Sequence, residues 1–145
     1  MLDALLYHLQ NIFGRCNMAV SIFYIFADPM GDKACKIGIS TKPEVRLGTY
    51  QNSVSARSHL ACFNRAWYGT SKVISKLELT AKTEFDWEIE RDGRGHSEWV
   101  YDMSVDDIAT KIEAIINGFH YKVNPVPKQF LPMTVEKYKE WSTTL

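Results

Sequence analysis

The spacing of apolar positions changes several times along this 145-residue chain, and each change predicts an element. Val20–Ala27 is a near-continuous apolar and aromatic run rich in β-formers, which predicts a buried strand. Asp28-Pro29-Met30-Gly31-Asp32 is a turn signal, and Ala34–Ile39 then returns as a second strand, giving an antiparallel hairpin. Ser40 or Thr41 is placed to cap a helix with Pro43 and Glu44 in its first turn, where both residue types are favoured. That helix carries Val45, Arg46, Leu47 and Tyr50. Arg46 and Tyr50 are four apart and so share a face.

Asn52–Ser58 is polar and loop-like, and His59–Trp67 is apolar enough to predict a third strand. Gly69-Thr70-Ser71 opens a helix over 72–85, with Val73, Ile74, Leu77, Ala81 and Phe85 on its core side and Glu78 beside Leu77. A second hairpin is predicted from Asp86–Glu90, a turn over 91–95, and Glu98–Met103. Val105–Asn117 has the spacing of a last amphipathic helix, with Gly118 as its C-cap. Asn124-Pro125-Val126-Pro127 reads as a stiff extended linker, and Thr134–Trp141 as a short terminal helix. At the other end, Leu2, Leu5, Leu6, Leu9, Ile12 and Phe13 have roughly helical spacing. They predict either a docked helix or an extension ahead of a start at Met18.

This order predicts an α+β fold, a small mixed or antiparallel central sheet flanked by helices. The expected division is an N-terminal helical extension over 1–19, a main domain over 20–118, and a linker with a short helix over 119–145.

Hydrophobic content of 46% and charged content of 23% are those of an ordinary globular chain. No apolar run approaches the roughly 20 residues of a membrane span, so no membrane partner is expected. Cys16, Cys35 and Cys62 are odd in number and far apart, which argues against a disulfide framework and for a reducing cytoplasm. The net charge of zero conceals an asymmetry. Residues 33–82 hold nine Lys/Arg against two acids, and residues 83–113 hold three against ten. The basic block fits a polyanion, with Lys42, Arg57, Arg65 and Lys72 as candidate nucleic-acid contacts. The competing expectation is that the two blocks pair with each other in the fold.

Ile22-Phe23-Tyr24, a spacer, Lys36-Ile37-Gly38, and then Arg46 and Tyr50 resemble the motifs of the GIY-YIG nuclease superfamily. The similarity is to the phage-type branch whose second motif is KIG. Tyr24 precedes Lys36 by twelve residues, Gly38 precedes Arg46 by eight, and an aromatic follows the arginine by four. Glu78 falls on the downstream helix where the family has its metal-binding acid, and Gly95 to Val100 resembles the closing strand. Ile22 stands where the first motif has glycine, and Lys36 where the second tyrosine would be. The resemblance implies a DNA endonuclease with Tyr24, Lys36, Arg46, Tyr50 and Glu78 as its catalytic set.

The chemistry of these residues is consistent with those roles. Phosphodiester hydrolysis needs an aimed water, stabilised charge on the phosphoryl group and help for the departing oxygen. Arg46 presents a planar fork to phosphate oxygens, and Lys36 can lower the Tyr24 pKa or contact phosphate itself. Tyr50 orients the water or a phosphate oxygen. Glu78 can hold one Mg²⁺ or Mn²⁺, a hard cation that keeps several waters. The five residues are expected to converge on one concave, electropositive face. His8, His59, His96 and His120 have no metal-ligand spacing, and Trp67, Trp87, Trp99 and Trp141 are expected in packing.

The expected partner is DNA, duplex or branched, met in the cytoplasm, or a host's cytoplasm if the chain is phage-encoded. Low-specificity or structure-selective cutting is expected, with recruitment by a protein partner or a homo-oligomer supplying any further selectivity. The alternative from another class is a catalytically inactive nucleic-acid-binding or inhibitory module on the same fold.

Overall fold

The computed structural model describes residues 20–27, 34–51, 62–85, 89–90 and 99–145. The elements are β1 (Ser21–Ala27), β2 (Ala34–Ser40), α1 (Pro43–Gln51), β3 (Arg65–Gly69), α2 (Ser71–Glu84), β4 (Ile89–Glu90), β5 (Trp99–Tyr101), α3 (Val105–Phe119), β6 (Asn124–Pro125) and α4 (Val135–Ser142). A 3-10 turn spans Lys128–Phe130. The strands form one sheet in the order β4-β5-β2-β1-β3-β6, with every described pairing antiparallel. This is the α+β arrangement that the sequence predicts.

β1 lies inside the sheet and is apolar on both faces. Successive side chains of a strand point to opposite sides, so the run builds two cores. Phe23 and Ile25 join Ile74, Leu77 and Ala81 of α2 and Ile108, Ile112 and Ile116 of α3. Ile22, Tyr24 and Phe26 join Leu47 of α1, Phe130, Met133 and Trp141 of α4. The sheet is thus sandwiched between two helical layers.

Local chemistry sets the helix starts. Thr70 caps α2 by accepting from Val73 N at 3.3 Å, and Ser104 caps α3 by accepting from Asp107 N at 3.0 Å. Ser40 accepts from Lys42 N at 3.0 Å, so it closes a turn just ahead of α1 rather than capping the helix. The C-terminal end of α3 also differs from expectation. Gly118 lies inside the helix, and His120 takes the left-handed conformation with φ of 55°.

Three other boundaries move. The third strand begins at Arg65, because Asn64 Oδ1 accepts from Ala27 N at 2.8 Å and ends the ladder there. Phe63 leaves the strand and bridges Met133 instead. The Asn124-Pro125 segment is an edge strand on β3 rather than a linker. Residues 28–33, 52–61, 86–88 and 91–98 lie outside the described set, as do the first 19. They include the predicted turns, Arg57 and three of the histidines. Among the described residues no helix is long and apolar enough to cross a membrane.

Two features of the cores make stability predictions. The indole N–H of buried Trp67 donates to Glu113 Oε1 at 2.7 Å. Glu113→Ala orphans that donor and should cost about 1–3 kcal/mol in a urea titration. Burial pushes the thiols of Cys35 and Cys62 above their ordinary value of 9.0, with Lys137 partly offsetting the effect at Cys62. A raised value means the fold favours the protonated thiol. Its contribution is complete below the ordinary value and is lost as pH rises through the raised one. Denaturation midpoints should therefore fall on the alkaline side of 9.0, and replacement of both cysteines by alanine should flatten that slope.

Candidate functional site

The motif residues are spread along β1 and β2, with Lys36 towards the start of β2 and Arg46 on the helix that follows its finish. Register pairs Tyr24 with Gly38 and Phe26 with Lys36, and directly opposed residues share a face. Tyr24 and Lys36 are therefore diagonal neighbours on the α1 side of the sheet. Gly38 between them carries no side chain to separate them. Lys36 is half-buried, whereas Tyr24 is fully buried. The Tyr24 ring stacks on Phe63 with centroids 4.2 Å apart and planes at 11°. At 0% exposure its hydroxyl does not meet solvent in this conformation.

α1 places Leu47 in the core beneath Tyr24 and leaves Arg46 exposed. Arg46 lines a hollow of about 500 Å³ with Ile39, Ser40, Thr41, Lys42, Val45 and Thr49. Ile39 points to the α2 side of the sheet, so the hollow wraps around the margin of β2. Among the described residues β5 pairs with β2 only as far as Lys36, and the outer edge of β2 beyond it, at Ile39 and Ser40, lines the hollow. Arg46 and Lys42 make it electropositive. Tyr50 lies one turn after Arg46 on the backbone of α1; its side chain lies outside the described set.

Glu78 belongs to α2, on the sheet face opposite Tyr24. The five motif residues therefore do not share one face. On α2, Glu78 and Thr80 lie on opposite flanks of the buried stripe Ile74, Leu77 and Ala81. Thr80 Oγ1 bonds the Tyr121 hydroxyl at 2.8 Å, on the α3 side. Glu78 consequently lies on the flank of α2 away from Tyr121. Its side chain is 19% exposed and pairs with Lys82 Nζ at 3.5 Å, one turn on.

Among the described residues no group of three or more His, Cys, Asp or Glu could hold a metal. A single carboxylate still fits a cation of the Mg²⁺ type, which retains waters and takes further oxygens from a substrate phosphate. Glu78 supplies a hard oxygen donor of that kind.

The predicted basic contacts separate. Lys42 is exposed on the hollow and Lys72 is exposed in the first turn of α2. Ser21 Oγ and Ser71 Oγ lie 2.9 Å apart, which puts Lys72 at the same end of the sheet as Lys42. Arg65 sits at the opposite end, opposite Ile25 in the ladder, and pairs with Asp106 at 3.8 Å. That contact is a partial realisation of pairing between the basic and acidic blocks.

No curated protein and no solved structure matches the chain. The T5orf172 domain matches residues 21–119. The matched span runs from the first residue of β1 to the last of α3 and takes in the hollow, Arg46 and Glu78. On that match the chain belongs to the T5orf172 domain family, a nuclease-related group.

Proposed function

We propose that the chain is a metal-dependent endonuclease of the GIY-YIG type that hydrolyses DNA phosphodiester bonds at the margin of β2. The observation that carries this reading is the exposed Arg46 in an electropositive hollow, at the family's spacing after Lys36-Ile37-Gly38. Arg46 grips the scissile phosphate and stabilises the charge that builds on it in the transition state. Lys36 assists deprotonation of the attacking water, directly or through Tyr24, and Tyr50 orients that water. Lys42 holds a flanking phosphate. Glu78 would hold the cation, Mg²⁺ or Mn²⁺, which supplies Lewis-acid stabilisation when bound.

The test is cleavage of supercoiled plasmid in the presence of Mg²⁺, beside DNA binding measured in a chelator. Wild type should nick the plasmid, whereas Arg46→Ala and Glu78→Ala should not. A second reading, a non-catalytic nucleic-acid-binding module, is favoured by the burial of Tyr24 against Phe63. It predicts binding without nicking by the wild type, and that result would sink the enzyme reading.

A further inference from the structure

Away from the hollow, the outer side of α2 and the end of α3 form a second surface. Phe119 is 56% exposed, an unusual placement for a phenylalanine. Its ring lies nearly parallel to that of Tyr121, with centroids 5.5 Å apart and planes at 13°. The left-handed turn at His120 sets the two rings side by side. Tyr121 is fixed in turn by its 2.8 Å hydrogen bond to Thr80 of α2. The pair is thus a braced aromatic platform with the outer part of Phe119 open. A hollow of about 260 Å³ adjoins it, lined by Phe119, Ala114, Ile115, Lys111 and Glu84.

Lysines border this platform. Lys76 lies one turn before Thr80 on α2, and Lys72 one turn before that. A Cβ added to Gly69 would sit 3.1 Å from the Lys122 carbonyl, which places Lys122 beside the chain entering α2. Lys72, Lys76 and Lys122 are all exposed, and none pairs with a carboxylate among the described residues.

We infer that this surface binds a single-stranded nucleic-acid segment, one base stacking on Phe119 while Lys72, Lys76 and Lys122 take the adjoining phosphates. An aromatic ring flanked by cations suits a base that is free to leave its stack. A duplex keeps its base faces covered and offers only phosphates. The inference rests on the nucleic-acid reading above and narrows it, towards substrates with an unpaired strand beside the cut.

The experiment uses the full chain in a chelator, so that binding is read without cleavage. Fluorescence anisotropy compares a labelled oligo(dT) of about a dozen nucleotides, within the ~4–16 nucleotides typical of such sites, with a duplex of equal length. Phe119→Ala should weaken oligo(dT) binding by about 5- to 150-fold and leave duplex binding and plasmid nicking unchanged. Phe119→Trp should restore the single-strand affinity. Lys72→Ala and Lys122→Ala should each lower the salt dependence of oligo(dT) binding by about 0.7 in log–log slope. Wild-type affinity in Phe119→Ala, or no oligo(dT) binding at ~50 mM salt, overturns the inference. Nicking by the wild type is scored separately, so an inert enzyme that still binds oligo(dT) rejects only the nuclease reading.

Discussion

A chain ending at Phe119, where the family match ends, should fail to fold. Beyond that point Val123 seals the core under α2 and α3. Val126, Phe130, Met133 and Trp141 cover the opposite face of the sheet, over Ile22, Tyr24, Phe26 and Phe63. Burying one large apolar side chain is worth about 1.5–3 kcal/mol, so these five sum to the order of 10 kcal/mol. A whole domain has a net stability of only about 5–15 kcal/mol. Circular dichroism of the truncated chain should show no cooperative thermal transition, and near-ultraviolet signals from the aromatic cores should vanish. A truncated chain with a sharp melt would mean that the second core is dispensable. The sharper control is Trp141→Ala in the full chain, which should cost about 3–5 kcal/mol and still fold if total stability exceeds that cost.

The second large effect is chemical. Arg46→Ala should reduce Mg²⁺-dependent nicking by at least about 10²-fold, the scale seen when one preorganised donor to transition-state charge is removed. Arg46 is exposed, so its melting temperature should barely move, since surface substitutions usually stay within about 0.5 kcal/mol. Arg46→Lys keeps the charge but loses the planar fork and should remain well below wild type. Glu78→Ala should match the loss, while Glu78→Asp with added Mn²⁺ should regain part of it. Full nicking by Arg46→Ala would remove the guanidinium from the mechanism.

Continuous apolar runs and helical spacing made much of this fold legible. The β1–β2 hairpin, α2 with Thr70 at its start, and α3 all follow from local patterns that agree with the final packing. What escaped was decided by distant partners. The apolar residues before Arg65 look strand-like, yet pairing with β1 stops where Asn64 turns its side chain onto Ala27. Phe63 is needed elsewhere, against Tyr24 and Met133. The Asn124-Pro125 pair looks like a spacer because nothing local reveals that the edge of β3 awaits it.

The candidate site divides in the same way. Arg46 and Glu78 are candidates through the motif pattern that the sequence resembles. The sheet face each motif residue occupies depends on strand register and helix placement, and this is why the expected single face became a hollow reached around β2. Lys36 and Tyr24 share a face as the register requires, but the depth of Tyr24 is set by Phe63, thirty-nine residues away. The stacked pair Phe119 and Tyr121 had no sequence signal beyond two aromatics near a helix end.

β6 has a further consequence for behaviour at high concentration. An outer strand exposes unpaired amides and carbonyls onto which another chain can add. β6 is two residues long, and Pro125 has no amide hydrogen to offer. Pro127 follows two residues on, with Val126 between them turned inward and its N–H already given to the Ala66 carbonyl at 2.9 Å. On this margin the hydrogen-bonding ladder terminates in prolines, so this edge carries its own stop against the edge-to-edge addition of another chain.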